Sequence, residues 1–236
     1  MTSIMRARLV LFALAAAALV LAWALHAGML RVPDRWNPWA PLVIAEAPNL
    51  LTRYKLSRLS SDDVQCRAVI AQSGFRYQWL PDRTTGPGCG MSNAVRIVAT
   101  GVAVDTPFAL SCRTAVALAL WETHVLQPQA QAWFGKPVAR LQHFGSYACR
   151  NVYGRDDARR SQHATADALD IAAFVLADGR EIRIVNDWSG DDAESAFLQQ
   201  VHAGACRFFD AALGPDYNAA HRDHLHFDRG SYRVCR

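Results

Sequence analysis

The sequence predicts an α+β domain, with helices flanking a central antiparallel sheet and an apolar helix in front of it. Helical and extended patterns are interspersed along the chain, which favours this class. Asp178-Gly179 is a hairpin-type turn between two apolar segments. An uncharged run over residues 9–25 predicts the separate N-terminal helix. The composition, 51% hydrophobic and 19% charged, is that of a globular protein and excludes a disordered chain.

The first 55 residues divide into three segments. Residues 1–8 contain two arginines and are predicted to be a cytoplasmic tail, because basic flanks stay on the cytoplasmic side. Residues 9–30 are predicted to be a transmembrane anchor or a signal peptide, and an uncleaved anchor is favoured because no small polar residues follow the run. Residues 31–55 hold four prolines and are predicted to be a linker.

The domain itself is predicted to occupy residues 56–236. The anchor makes this a single-pass protein of the inner or cytoplasmic membrane, with the domain in the periplasm or extracytoplasmic space. Helix start and stop residues and the hydrophobic spacing predict its elements. Helices are expected over 60–74, 111–125 and 191–213, and strands over 93–104, 138–147, 168–176, 181–185 and 224–228.

Six cysteines in an exported chain predict three disulfides, because that compartment is oxidising. The chain has no Cys-x-x-Cys pair, which argues against thiolate zinc ligation. Fifteen pairings are possible. Pairing in sequence order is the favoured hypothesis: Cys66–Cys89, Cys112–Cys149 and Cys206–Cys235.

The charge balance excludes one class of partner. The chain has 25 basic and 21 acidic residues, a net charge of +4, and two of the basic residues precede the apolar run. This balance is too even for a surface that binds a phosphate backbone. Nucleic acid is therefore not expected as a partner.

Histidines and an aspartate recur at the spacing of a metal site. His163 and Asp170 lie seven positions apart at the entry to a predicted strand, and His224 and His226 follow on a later strand. Residues two apart on a strand share a face, so a sheet can deliver two imidazoles to one ion. Three ligands with an open fourth position are typical of catalytic zinc.

The segments SQHATADALDIAAF and HRDHLHFD, with the six cysteines, resemble the bacterial extensin-like C-terminal domain family over residues 56–236. They also resemble the LAS superfamily of zinc peptidases, which implies an LAS-type architecture. The superfamily pattern Ser-x-His-x-x-Gly-x-Ala-x-Asp is matched at Ser161, His163, Ala168 and Asp170, while Ala166 stands in place of the usual Gly. If this position needs a positive φ, Ala166 costs stability or shifts His163.

The resemblance implies Zn²⁺ held by His163, Asp170 and His226. It also implies catalytic or substrate-contacting roles for four further residues, Asp223 as general base, His224 and His221 as active-site histidines, and Arg150. On a regular strand Asp223 faces away from His224. It can act as the base only if the strand begins after it; otherwise His221 or His224 takes that role.

These residues lead to two functional hypotheses. The first is a zinc-dependent hydrolase that cleaves peptide bonds of cell-wall peptidoglycan, as a carboxypeptidase or an endopeptidase, because zinc activates water and polarises a carbonyl. The alternative is a non-catalytic cell-wall-binding module that retains the fold. The expected partners are peptidoglycan peptides, and the membrane through residues 9–30.

Overall fold

In this computed structural model, residues 2–236 are described; residue 1 of the predicted cytoplasmic tail lies outside the described residues. The chain forms two compact units, one ending at Ala40 and one spanning Pro41–Arg236. In the first, helix α1 (Thr2–His26) has exposed apolar side chains. Among the described residues, Met5–His26 is the segment long and apolar enough to cross a membrane, and a signal sequence has the same character.

The second unit contains the remaining α-helices and all the strands of the described chain. Its helices are α2 (Thr52–Arg58), α3 (Asp63–Ile70), α4 (Cys112–Trp121), α5 (Gln127–Phe134), α6 (Ile184–Asp187) and α7 (Ala193–Ala205). Its strands are β1 (Arg76–Trp79), β2 (Arg83–Gly86), β3 (Cys89–Met91), β4 (Ala94–Ala99), β5 (Ala103–Ser111), β6 (Val138–Gly145), β7 (Ala168–Leu176), β8 (Glu181–Arg183), β9 (Ala211–Leu213), β10 (Leu225–Asp228) and β11 (Val234–Cys235).

Side-chain caps determine where the main helices begin. Asp62 accepts a hydrogen bond from the Gln65 backbone N–H and starts α3. Ser111 starts α4 and Asp192 starts α7 in the same way. Such caps satisfy backbone donors that would otherwise lack a partner at the first turn. The helix predicted over 111–125 continues from α4 through a π-helical turn, Glu122–Leu126, into α5.

In the described chain, nine strands form one sheet in the order β1, β4, β5, β6, β7, β10, β9 and β11, with β8 also paired to β7. The expectation of a central sheet with flanking helices is confirmed, but the sheet is mixed: β5 pairs with β6, and β9 with β11, in parallel. The Asp178-Gly179 hairpin is confirmed by the antiparallel β7–β8 pair.

Aromatic side chains join the helices to the sheet. Trp121 of α4 contacts Phe174 of β7 and Phe227 of β10, with ring centroids 6.1 and 5.2 Å apart. Phe197 of α7 contacts Phe174 at 5.6 Å. These rings are fully buried, and the core on this face of the sheet leaves the opposite face of β7 and β10 free for polar groups.

The helix predicted over 191–213 is too long. It ends at Ala205, and Ala211–Leu213 instead forms β9, which pairs with β10 on one side and β11 on the other. A short apolar run is equally compatible with helix and buried strand. Pairing with two neighbouring strands decides the outcome for this segment.

The disulfide pairing differs from the expectation at two of the three bonds. Cys206–Cys235 is confirmed, while the other predicted pairs are wrong: the bonds are Cys66–Cys112 and Cys89–Cys149. Packing of α3 on α4 brings Cys66 and Cys112 to a Cα–Cα distance of 6.1 Å. Cys89 lies in β3, and its Cα is 5.5 Å from the Cα of Cys149, in the loop after β6. Proximity in sequence therefore did not predict the partners.

The compact unit begins at Pro41, upstream of the boundary predicted at residue 56. Leu42 and Ile44 are buried in the main core, and the Ile44 carbonyl contacts His124 Nε2 at 2.7 Å. Arg53 of α2 forms an ion pair with Asp210 at 2.6 Å. The C-terminal half of the proline-containing segment thus packs as part of the domain.

Candidate metal centre

Three neighbouring elements bring the candidate ligands together. His226 of β10 lies directly opposite Asp170 of β7 in the antiparallel register. Side chains opposite each other on such a pair share a face and lie close together. His163 comes from a short 3₁₀ turn, Gln162–Thr165, that immediately precedes β7. Ser161 caps this turn by accepting a hydrogen bond from the His163 backbone N–H.

Strand alternation separates the site from the core. On β10, Leu225 and Phe227 point into the main core, so His226 and Asp228 lie on the opposite face. On β7, Leu169 and Ile171 also belong to the core, which places Asp170 on the same face as His226. The sheet therefore presents polar side chains to one face and hydrophobic ones to the other.

The three candidate ligands are buried and in mutual contact. His163 Nε2 lies 3.2 Å from His226 Nδ1 and 3.1 Å from Asp170 Oδ2. His226 Nδ1 lies 2.8 Å from Asp170 Oδ1. One nitrogen or oxygen from each residue thus falls within 4.8 Å of the others.

Hydrogen bonds on the far side of each imidazole determine its tautomer. His163 Nδ1 lies 3.1 Å from the Ser146 carbonyl oxygen, which can only accept, so Nδ1 carries the proton. His226 Nε2 lies 3.1 Å from Asp228 Oδ2 and donates to that carboxylate. In the neutral imidazoles, His163 Nε2 and His226 Nδ1 are then both unprotonated. With both rings neutral, two lone pairs and a carboxylate would face one another at the centre of the site, which is the form that can hold a cation.

The protonation of these residues reflects this arrangement. Burial favours the neutral form of Asp170, but hydrogen bonds and positive charge from His163 and His226 hold its pKa well below its usual range. Burial alone would lower the pKa of His226, yet hydrogen bonds to Asp170 and Asp228 raise it to about 9. The site attracts positive charge, which a proton supplies in the absence of a cation.

This donor set fits zinc. Two imidazole nitrogens and one carboxylate oxygen are ligands that Zn²⁺ prefers, and three protein ligands are typical of a site with an open position. The outer contacts of His163 with Ser146 and of His226 with Asp228 are those that orient metal-binding histidines. The residues present therefore match the group that the sequence predicts.

His224 also reaches the site, whereas Asp223 lies behind it. His224 Nε2 is 3.7 Å from Asp170 Oδ1, and its Nδ1 is 2.9 Å from Asp223 Oδ1. β10 begins after Asp223, at Leu225, as a role for this residue requires. Its side chain, however, lines a separate cavity of about 220 Å³ with Asp105 and His143. Asp223 orients His224 rather than facing the candidate ligands.

His221 lies next to His224 and His226. It is buried, and its ring centroid is 5.2 Å from that of His224 and 5.8 Å from that of His226. Burial, together with the positive charge of His226 and His224, lowers the pKa of His221 to about 4. His221 is therefore neutral at physiological pH and available as a proton acceptor.

A cleft of about 410 Å³ opens onto the candidate ligands. Arg150 and Arg159 contribute positive charge to its lining. Exposed tyrosines form part of the rim, and Arg159 lies over the Tyr232 ring at 4.8 Å. The predicted site residues His163, Asp170, His221, His224, His226 and Arg150 all line this cleft, and Asp223 does not.

Comparison with known proteins places the chain in a family. A family model described as extensin-like protein C-terminus matches residues 64–236. The chain belongs to this family. No curated protein and no solved structure matches the chain. The matched residues include all six cysteines and the complete candidate metal centre of the extensin-like domain.

Ala166 of the extensin-like domain adopts the left-handed conformation. Its φ is 56° and its ψ 30°, at the end of the turn that carries His163. Glycine is the residue that adopts this conformation without steric cost. Ala166 is fully buried against Met91 and Ala94, so its methyl group contributes packing that a glycine would lack. His163 nevertheless meets Asp170 and His226.

Sequence reasoning missed three groups that shape the site. Asp228 was detectable, because it continues the alternate spacing of His224 and His226 on the strand. The Ser146 carbonyl had no sequence signal, since any residue supplies one. Asn218 also lacked a signal, because its contact with His221 depends on a turn that the local pattern did not predict.

Proposed function

We propose that the extensin-like domain is a zinc-dependent hydrolase that cleaves peptide bonds of cell-wall peptidoglycan, with an LAS-type architecture. The observation that carries this proposal is the convergence of His163 Nε2, His226 Nδ1 and the Asp170 carboxylate, whose atoms become the free donors of the site when both rings are neutral. Neutral histidines with outer hydrogen bonds are characteristic of catalytic zinc sites. The opening of this group into a cleft supports turnover rather than a structural role.

Zinc, when bound, would polarise a substrate carbonyl and make a bound water acidic enough to attack it near neutral pH. A side chain of the protein must then accept a proton from the attacking water and return it to the leaving amine. His224 is the first candidate, because its Nδ1 contacts the Asp223 carboxylate and its Nε2 faces the site. His221 is the second, with its ring centroid 5.2 Å from that of His224. Asp223 acts through His224: the proton of the attacking water passes to His224, and the Asp223 carboxylate stabilises the protonated ring.

The substrate is proposed to be a peptide with a free carboxylate or with acidic side chains. Arg150 and Arg159 line the cleft and provide positive charge for such groups. Peptidoglycan also carries sugars next to its peptides, and tyrosines at the rim of the cleft offer rings on which sugars can pack. Carboxypeptidase and endopeptidase action are both compatible with this lining.

The N-terminal helix and the disulfides support a proposal for the cellular location. We propose that α1 holds the protein in the inner or cytoplasmic membrane and that the domain lies in the periplasm or extracytoplasmic space. The three disulfides support an oxidising compartment, which agrees with this topology. The cell wall is the polymer accessible from that side.

Metal analysis of the full-length protein, purified in detergent, tests the centre. We expect equimolar zinc in the wild type and loss of zinc in His163→Ala and His226→Ala, since each removes a ligand. His124→Ala is the matched control, because His124 lies outside the cleft and binds a backbone carbonyl. A wild type without zinc, or variants that retain it, would contradict the proposal.

A second candidate is a non-catalytic cell-wall-binding module. The left-handed Ala166 favours it, because a strained turn next to His163 could reduce turnover while the fold persists. Digestion of purified muropeptides, followed by mass spectrometry, separates the two. A hydrolase releases defined fragments, whereas a binding module sediments with the wall polymer and leaves it intact.

A further inference from the structure

Asn218 connects His221 to the wall of the cleft. It precedes a 3₁₀ turn, Ala219–His221, and its Oδ1 accepts a hydrogen bond from the Ala220 backbone N–H at 3.0 Å. The same oxygen lies 2.8 Å from His221 Nδ1. On its other side, Asn218 Nδ2 donates to the Tyr153 hydroxyl oxygen at 2.8 Å. One amide thus makes three hydrogen bonds.

These contacts determine the tautomer of His221. A backbone N–H can only donate, so the side-chain atom that meets Ala220 N must be the amide oxygen of Asn218. That oxygen can only accept, so His221 Nδ1 must carry a hydrogen. In the neutral ring, Nε2 is then the unprotonated nitrogen. Nε2 has no hydrogen-bond partner among residues 2–236, and His221 lines the cleft.

Tyr153, which accepts the hydrogen bond from the Asn218 amide, has an unusual backbone conformation. Its φ is 55° and its ψ 19°, in the left-handed region that non-glycine residues rarely adopt. The side chain is exposed, so burial does not explain the strain. Its hydroxyl accepts from Asn218, and its ring lies edge-on to His221 at 6.3 Å. Strain of this kind is found where the surrounding structure supports a functional geometry.

The His221 ring is therefore held from two sides. The Tyr217 ring contacts it edge-on, with centroids 5.4 Å apart. The Tyr153 ring, whose hydroxyl bonds to the Asn218 amide, also contacts it edge-on. Neither tyrosine offers a competing donor to His221 Nδ1 in these contacts. The amide alone determines which nitrogen the ring presents.

We propose that Asn218 is a positioning residue that, with Tyr153 as its support, locks His221 in the Nδ1–H tautomer and presents Nε2 to the cleft as a hydrogen-bond acceptor. What His221 then does to a substrate or water rests on the proposed hydrolase function. The locking of the tautomer is a property of the folded chain itself and can be measured without turnover.

Long-range ¹H–¹⁵N NMR of the histidine rings tests the tautomer directly, in the full-length protein in detergent at neutral pH. We expect a single Nδ1–H form of His221 in the wild type. Asn218→Ala should show a mixture that includes the Nε2–H form, because the acceptor is gone. Asn218→Asp should retain the Nδ1–H form, since a carboxylate oxygen still accepts. An Nε2–H form in the wild type, or an unchanged His221 in Asn218→Ala, would overturn the proposal.

Two further readouts separate positioning from stability and from the proposed function. Asn218→Ala should retain its zinc and lose about 10- to 100-fold in kcat on muropeptides with little change in KM, as outer contacts of catalytic histidines do. Asn218→Asp should retain more activity than Asn218→Ala, whereas a purely capping role would affect Tm and leave the ring tautomer unchanged. A wild type that cleaves no muropeptide would refute the hydrolase, and the NMR result would still decide the role of Asn218.

Discussion

At the residue scale, the histidines of the cleft follow one rule. Among residues 2–236, four histidines line the cleft. In each of them, one ring nitrogen contacts an oxygen acceptor that is not one of the three candidate metal ligands. The acceptors are Ser146 O for His163, Asn218 Oδ1 for His221, Asp223 Oδ1 for His224 and Asp228 Oδ2 for His226. In its neutral form, each ring would therefore turn its unprotonated nitrogen inward. Neutral amide or carbonyl acceptors serve two of the rings and carboxylates the other two.

Substitutions at Ala166 measure the energetic cost of its left-handed backbone conformation. Ala166→Gly relieves about 1–2 kcal/mol of left-handed strain. It also removes a buried methyl worth about 0.8 kcal/mol and adds unfolded-chain entropy worth about 0.4–1 kcal/mol. We therefore expect the free energy of unfolding in urea to change by less than about 1 kcal/mol.

Ala166→Val supplies the opposite comparison. A β-branched side chain is a genuine outlier in the left-handed region, and extra volume in a fully buried position costs about 1–3 kcal/mol by itself. Its free energy of unfolding should fall by about 2 kcal/mol or more. Equal stabilities for the Gly and Val variants would contradict the left-handed conformation at this position.

At the element scale, the π-helical turn between α4 and α5 contains a buried acid. Glu122 begins this turn, and its Oε2 is buried without a hydrogen-bond partner among the described residues. Burial raises the pKa of Glu122 to about 7, although hydrogen bonds from Thr100 and Gly101 oppose the shift. A Cβ on Gly101 would lie 2.1 Å from Glu122 Oε1, so only glycine allows this approach. The turn thus contains a group that is half-ionised near neutral pH.

This acid should make stability depend on pH. Because the pKa of Glu122 is higher in the folded chain than its ordinary value of 4.5, the stabilisation is complete below about pH 4.5 and is lost as the pH rises to about 7. A shift of this size corresponds to about 3 kcal/mol. Glu122→Gln keeps the shape and removes the titration, so its free energy of unfolding should exceed that of the wild type at pH 8.

Urea unfolding between pH 4.5 and 8 measures the effect, as the difference between wild type and Glu122→Gln. Other titrating groups, including those of the cleft, cancel in this difference. Glu46→Gln is the matched control, because Glu46 is exposed. A wild type whose difference from Glu122→Gln stays constant over this range would refute a raised pKa at Glu122.

At the scale of the whole molecule, the extensin-like domain depends on residues upstream of its matched region. The family match begins at residue 64, but the compact unit begins at Pro41. Leu42 and Ile44 fill the core beside His124, and α2 contributes the Arg53–Asp210 ion pair. The segment between α1 and the family region is therefore partly structural.

Truncation distinguishes a linker from a part of the domain. A chain that begins at residue 41 retains the core, whereas one that begins at residue 56 exposes the sites of Leu42 and Ile44 and cuts α2. Each of these two side chains contributes about 1.5–3 kcal/mol on burial, so the shorter chain should lose about 3–6 kcal/mol. Thermal unfolding of the two chains, with disulfides intact, checks this, and equal Tm values would show that 41–55 is a linker.

Local spacing alone determined much of this protein. The uncharged run predicted the N-terminal helix, and the Asp178-Gly179 turn predicted the β7–β8 hairpin. The spacing of His224 and His226 predicted a shared face, and the family resemblance implied the ligand set His163, Asp170 and His226, whose side chains lie together in the folded chain. These features follow from the periodicity of strands and from turn chemistry, which neighbouring residues encode.

The tertiary structure decided the long-range partners, which local spacing does not encode. The partners of Cys66 and Cys89 depend on how α3 packs on α4 and where β3 lies, and the pairing of β9 depends on two distant strands. The tautomers of His163 and His221 depend on Ser146 and Asn218, whose oxygens face the rings only in the folded chain. Sequence periodicity specifies which face a side chain occupies, whereas long-range packing specifies the partner it meets there.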